Sequence, residues 1–119
     1  MVDDELDTAQ TLRRLILETS EFAVDIFMDA KEVLRTFKPA YYDLAVIDVR
    51  MPGMIGFELY SEIKSIDYKI KVLFLTALTD LHDYYDFKSK VSPRLHQRHF
   101  VQKPVDKDEF LEQVYFILF

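Results

Sequence analysis

Apolar residues along this chain fall into two alternating patterns: short unbroken runs, and stripes that repeat every three or four positions. The runs read as strands of a parallel sheet covered on both faces, and the stripes as helices with one buried side. Residues 1–3 would end a short first strand. Residues 5–20 predict a helix with Ala9, Leu12, Leu15, Ile16 and Thr19 on one side, and residues 22–27 a second strand. Ala30, Val33, Leu34 and Phe37 follow the i, i+3, i+4, i+7 spacing of a second helix, which Pro39 stops. Residues 43–48 form the clearest buried strand. Residues 57–66 follow as a helix striped with Leu59, Tyr60, Ile63 and Ile66, and residues 70–75 as a β-branched strand. Residues 79 to about 90 read as a helix broken by Pro93, and residues 100–102 as a short strand. Residues 106–119 make a last helix with Phe110, Val114, Ile117 and Leu118 on one face.

Strands alternating with helices at these intervals predict an α/β domain. The expected architecture is a flavodoxin-like (βα)5 doubly wound parallel sheet, strand order 2-1-3-4-5, with the first strand short. At 119 residues, with no repeat or linker, residues 1–119 are expected to form one domain. Half the residues are apolar, which excludes a disordered chain. The longest apolar run, residues 114–119, is too short to span a bilayer, and the acidic start is the opposite of a signal peptide. A cytoplasmic location is therefore expected. The absence of cysteine excludes disulfides and thiolate chemistry, and a net charge of -6 argues against general nucleic-acid binding.

Candidate chemistry gathers at the carboxyl ends of the expected strands, where open α/β sheets place their ligands. Asp48 closes the run Leu44-Ala45-Val46-Ile47, and the only glycines, Gly53 and Gly56, follow with Pro52 in a loop suited to a sharp turn and close backbone approach. Taken alone, Asp48 reads equally well as a cap on a strand–loop junction. It has companions, however: Asp3 and Asp4 after the first strand, Thr76 after the fourth, Lys103 after the fifth. In the order 2-1-3-4-5 these strands are neighbours, so the side chains would converge. Clustered carboxylates require a compensating cation, and an oxygen-only donor set suits a hard ion such as Mg²⁺. A lysine and a hydroxyl beside that ion are what a transferred phosphoryl group needs.

The pieces Val2-Asp3-Asp4-Glu5, Asp43-Leu44-Ala45-Val46-Ile47-Asp48, Met51-Pro52-Gly53-Met54-Ile55-Gly56, Leu75-Thr76-Ala77 and Lys103-Pro104 resemble, in order and spacing, the receiver domain of two-component response regulators. That resemblance implies a phosphoacceptor signalling domain rather than an enzyme, with no output domain in these residues. It implies that Asp48 accepts a phosphoryl group from a histidine kinase or phosphotransfer protein. Asp4 and Asp48 would coordinate Mg²⁺ (Mn²⁺ as the alternative), Asp3 would act through water, and the Arg50 carbonyl would supply a further oxygen. Thr76, with the Ala77 amide, would bind a phosphoryl oxygen, and Lys103 would pair with Asp48 and then with the phosphate. Thr76 and Phe100 would be the switch pair. Phe100, lacking a hydroxyl to satisfy, is expected to be largely buried without phosphate. The switched surface would be the face of the expected fourth helix, fifth strand and fifth helix (α4-β5-α5 in the family's order), used for a downstream protein or a homodimer.

Several features depart from the family. The first strand is short, Ile55 stands where an acid or asparagine is common, and the segment from Thr76 to Lys103 is longer than usual. That segment is basic: residues 87–105 hold five Lys or Arg, with His96 and His99, and no acid. A solvated loop is the ordinary reading, although the stretch Lys88 to Lys103 leaves a contact with acidic protein or nucleic-acid phosphates open. On the last helix, Tyr115, Phe116 and Phe119 lie off the core stripe, as a self-association surface or as a frayed end. Rival classes fit less well. An aspartyl phosphatase would want a second acid where Arg50 stands, and a dinucleotide enzyme would need glycines before Gly53. A receiver-like module indifferent to phosphate would show a degraded site, yet Asp3, Asp4, Asp48, Thr76 and Lys103 are all present.

Overall fold

Alternation of side chains along two central strands decides the layering. In the computed structural model, which describes residues 1–3, 6–19, 22–51, 53–77 and 99–119, β1 (Leu44–Asp48), β2 (Lys71–Thr76) and β3 (Phe100–Gln102) pair in parallel in that order. Four helices flank them: α1 (Leu6–Thr19), α2 (Ala30–Thr36), α3 (Gly56–Ile66) and α4 (Lys107–Leu118). Val46, Leu73 and Leu75 pack with Leu12 and Ile16 of α1 and Phe110 and Val114 of α4. Their sequence neighbours Ile47, Val72 and Phe74 point the other way, onto Val33 of α2 and Phe57, Leu59 and Ile63 of α3. Both faces of the strands are thus buried, which is why they read as unbroken apolar runs. Leu73, Phe74, Leu75, Ile47 and Val101 are fully enclosed.

Helix boundaries follow their capping residues. Asp29 and Asp106 each accept a hydrogen bond from the amide three residues on, Glu32 at 2.8 Å and Glu109 at 2.9 Å, which fixes the starts of α2 and α4. On α3 the buried stripe is Phe57, Leu59, Tyr60 and Ile63; Ile66, expected on that stripe, is exposed. The expected helix at residues 79–90, the basic stretch and the histidines His82 and His96 lie, wholly or in part, outside the described residues, as does Asp4.

The fold is the flavodoxin-like parallel α/β arrangement, with one correction to its strands. Among the described residues, three full strands form, and the first two expected strands shrink to bridging residues. Val2 bridges Ile47 on one side and Phe27 on the other. Its amide donates to the Val46 carbonyl (2.8 Å), and its carbonyl accepts from the Asp48 amide (2.9 Å). Residues 22–26 contribute no strand, and the Met1 amino group donates to the Asp25 carbonyl at 2.7 Å. Read across the bridges, the spatial order is Phe27, Val2, β1, β2, β3, as 2-1-3-4-5 requires.

A second polar anchor sits at the sheet's other end. Asp67, buried in the turn before β2, accepts from the Ala40 amide (Oδ2, 3.0 Å) and the Lys69 amide (Oδ1, 3.1 Å). It thereby holds the loop in which Ala40 adopts φ 62°, a left-handed conformation unusual for a residue with a Cβ. Asp67→Ala leaves two amides without their charged acceptor and should lower stability by about 2–3 kcal/mol, whereas Asp67→Asn, which keeps one acceptor oxygen, should lower it by under about 1 kcal/mol. Urea unfolding of the two variants checks the ranking. No helix among the described residues is long and apolar enough to cross a membrane.

Candidate functional site

Parallel register brings the strand-end residues to one level. Because Val2 bridges Ile47, Asp3 and Asp48 come next on neighbouring chains. Because Thr76 pairs with Gln102, Lys103 follows beside the end of β2, and its amide donates to the Thr76 carbonyl at 2.7 Å. Lys103 then reaches across β2 to β1: its Nζ lies 2.8 Å from Asp48 Oδ2. The other carboxylate oxygen, Oδ1, accepts from the Arg50 amide at 3.2 Å, so the loop after β1 curls back over its own aspartate.

Two glycines shape that loop for different reasons. Gly53 has φ +85° and makes the turn. Gly56 begins α3, and a Cβ there would stand 2.5 Å from the Asp48 carbonyl oxygen and 2.9 Å from Val49 Cα. The Gly56 amide donates to the Val49 carbonyl at 2.7 Å, while the Val49 amide extends the ladder to the Leu75 carbonyl at 3.0 Å. The close approach expected of a glycine is thus to the backbone that carries Asp48, rather than to a bound group. Val49, fully buried, and Val2, which pairs with the Asp48 amide, position the aspartate as much as the glycines do. Both are ordinary apolar residues in the sequence, and only the ladder reveals their role.

Electrostatically, the described residues of the site set two buried carboxylates beside the Lys103 ammonium. Asp3 is 0 % exposed and Asp48 2 %. Lys103 keeps 25 % of its side chain open to solvent. One ammonium against two buried carboxylates leaves negative charge over, and the donors are all oxygen, so the residues fit a hard divalent cation. Asp4, the third expected carboxylate, is outside the described residues, and among the described residues no group of three potential ligands assembles. Thr76 ends β2 part-buried, with Ala77 after it.

Phe100, at the start of β3, is part-buried rather than enclosed. Its ring stacks on Phe74 (centroids 5.3 Å, 22° between planes) and meets Phe57 edge-on at 6.3 Å. Phe57 and Tyr60 in turn pack edge-to-face on Phe74 at 4.9 and 5.6 Å. Burial raises the Tyr60 hydroxyl above its ordinary value, which keeps this cluster uncharged.

Lys103→Met would leave Asp48 buried beside Asp3 without its cation. Removing one partner of a fully buried pair costs about 3–5 kcal/mol, and the partial exposure of Lys103 reduces the expectation here to about 1–3 kcal/mol. The double variant Asp48→Asn/Lys103→Met should recover most of that loss. A double-mutant cycle by urea unfolding that finds the two losses additive would contradict the pairing.

Comparison with known proteins gives a consistent family. The family profile described as the response regulator receiver domain matches residues 1–115. Similar curated proteins include the transcriptional regulatory protein PcoR of Escherichia coli, 29% identical over 70% of this chain and 36% of its own length. The transcriptional regulatory protein CreB of Escherichia coli is 34% identical over 67% of this chain and 34% of its own length. This chain spans about a third to a half of the length of such relatives. Among solved structures, a CheY-like receiver domain protein from Methanospirillum hungatei superposes with a TM-score of 0.82 at 24% identity, covering 98% of this chain and 89% of that one.

Proposed function

Since the chain belongs to the response regulator receiver domain family of two-component signalling, we propose that Asp48 is its phosphoacceptor and that Lys103, Thr76, Asp3 and Asp4 serve the transfer. The observation that carries this reading is the Asp48 carboxylate itself. It is buried at the carboxyl edge of a parallel sheet, level with Asp3, and held at one oxygen by Lys103 and at the other by the Arg50 amide.

Chemistry follows from those contacts. The donor is the phospho-histidine of a histidine kinase or phosphotransfer protein. An Asp48 oxygen attacks phosphorus in line with the leaving nitrogen; the new O–P bond forms as the P–N bond breaks, and the imidazole departs with the electron pair. Lys103 already stands at Asp48 Oδ2 and turns its charge to the equatorial phosphoryl oxygens as they crowd the carboxylate. Asp3, Asp4, Asp48 and the Arg50 carbonyl would hold Mg²⁺, which when bound would neutralise charge on the same oxygens. The Thr76 hydroxyl and the Ala77 amide, at the end of the neighbouring strand, receive a phosphoryl oxygen. Drawing Thr76 inward frees space near the start of β3, where the part-buried Phe100 ring can sink further onto Phe74. A local charge thereby biases a packing equilibrium that a partner protein or a second copy reads on the β3–α4 side.

The test is incubation with a small acyl phosphate and Mg²⁺. One acid-stable, alkali-labile phosphoryl group per chain is expected. Stripping divalent cations with EDTA should slow incorporation by about 100-fold or more, and excess Mg²⁺ should restore it. Rapid turnover of varied phosphoesters would instead mark a phosphatase. No incorporation in the presence of Mg²⁺ would leave a receiver fold used only as an interaction module.

A further inference from the structure

Parallel register sets three side chains in a row across the sheet. Ile47 pairs with Phe74, and Phe74 with Phe100, so one residue of each strand lines up on the face covered by α2 and α3. The first turn of α3 spans that row. Gly56 rests on one end of it: a Cβ there would meet Ile47 Cγ2 at 2.9 Å and the Asp48 carbonyl oxygen at 2.5 Å. Phe57, the next residue, covers the other end, its ring edge-on to Phe74 at 4.9 Å and to Phe100 at 6.3 Å.

Freedom to move is unequal along the row. At the Gly56 end there is none to spare, and the Gly56 amide is bonded to the Val49 carbonyl at 2.7 Å, so the start of α3 is tied to residues 48–49. Phe57 is buried and Phe74 fully enclosed. Tyr60, one turn further along α3, packs edge-on to Phe74 at 5.6 Å. Two rings of α3 thus grip Phe74, which stops the helix from rolling away from a push at its start. Phe100, stacked on Phe74 at 5.3 Å, is the part-buried member of the row and has room to shift. In an interior packed this closely, a displacement is passed on rather than absorbed.

We propose that Phe57 is a positioning residue for the phosphoacceptor: it couples the packing of Phe100 to the backbone of Asp48 through Gly56. The inference rests on the reading of Asp48 given above and adds a second route to it, through α3 rather than through Thr76. As the Phe100 ring sinks onto Phe74 it closes on the edge of Phe57. The first turn of α3 then shifts against the Asp48 carbonyl, on which Gly56 already presses. Loss of Thr76 therefore weakens the link between Phe100 and Asp48 without abolishing it.

Hydrogen exchange on the full chain tests the coupling without requiring phosphorylation. Phe100→Ala removes the ring beside Phe57. It should speed exchange of the Gly56 amide about 10-fold more than that of Ile63, which is buried within α3. General destabilisation would speed both amides alike. A Phe57→Leu chain stays apolar but offers Phe100 no ring edge. There, Phe100→Ala should move the two amides by factors within about 2-fold of each other. Phe57→Met serves the same purpose if the leucine variant does not fold. Phe57→Leu by itself should take up a phosphoryl group from a small acyl phosphate and Mg²⁺ about 10-fold more slowly than the parent while remaining folded. Equal acceleration at Gly56 and Ile63 in the parent, or the same Gly56 excess in Phe57→Leu, would overturn the proposal. So would uptake by folded Phe57→Leu at the parental rate. A parent chain that takes up no phosphoryl group would end the assignment of Asp48, and with it this role of Phe57, even where the exchange coupling holds, so the two failures are told apart.

Discussion

An Asp48→Asn chain, incubated with a small acyl phosphate and Mg²⁺, should take up no phosphoryl group where the parent takes up one. An amide oxygen is too poor a nucleophile to displace the leaving group. Asp3, the carboxylate beside position 48, is completely buried, and Lys103 bonds Asp48. The fold should survive, because asparagine keeps an oxygen for the Arg50 amide and its burial asks for less compensating charge. Mass spectrometry of the intact chain, with urea unfolding in parallel, separates the two effects. Phosphorylation of Asp48→Asn at the parental rate would move the acceptor elsewhere and dismantle the proposed roles of Lys103 and Thr76 together.

Gly56→Ala should be the most damaging single-methyl change in the site. Its Cβ would lie 2.5 Å from the Asp48 carbonyl oxygen and 2.9 Å from both Ile47 Cγ2 and Val49 Cα. Two of those atoms are backbone of a fully packed strand and loop, so they cannot rotate away. Overpacking of this kind costs about 1–3 kcal/mol, and the absence of a movable neighbour places this case at the upper end. The gain from alanine over glycine in a helix, about 1 kcal/mol, applies weakly at a first helical position and does not offset it. Gly53→Ala gives the contrast. Nothing lies within 4 Å of the added carbon, and only the positive φ of +85° is penalised, by about 1–2 kcal/mol. Because the Gly56 clash pushes on the Asp48 carbonyl, phosphoryl uptake should fall too, by up to about 100-fold for a 1 Å displacement of the carboxylate. If Gly56→Ala proves as stable and as readily phosphorylated as Gly53→Ala, α3 does not press on β1 as described.

The layered architecture was legible because the central side chains of β1 and β2, Val46 and Ile47 and Val72 to Leu75, are buried on two covered faces. A parallel sheet of that kind writes itself as continuous apolar runs, and Leu44 to Asp48 and Lys71 to Thr76 fall within a residue of where the pattern places them. The same reasoning overestimated the strand at residues 22–27. Its residues have the right composition, but pairing needs a neighbour, and among the described residues the ladder to this segment is confined to Phe27, through the Val2 bridge and its bonds with Met1 and Asp3. Ile66 illustrates the complementary error: it sits at helical spacing yet is the last residue of α3 and is exposed.

What the amino-acid order determined by itself was the set of chemical groups and their placement at strand ends: Asp3, Asp4, Asp48, Thr76 and Lys103, each closing or following an apolar run. Spacing along the chain carries that information because strand length and helix period are local properties. The tertiary structure alone decided that Lys103 bonds one Asp48 oxygen while the Arg50 amide takes the other. It alone also showed that Gly56 presses on the backbone behind Asp48. Those facts depend on which strands lie side by side and in what register, and residues fifty positions apart meet only once the whole sheet has formed.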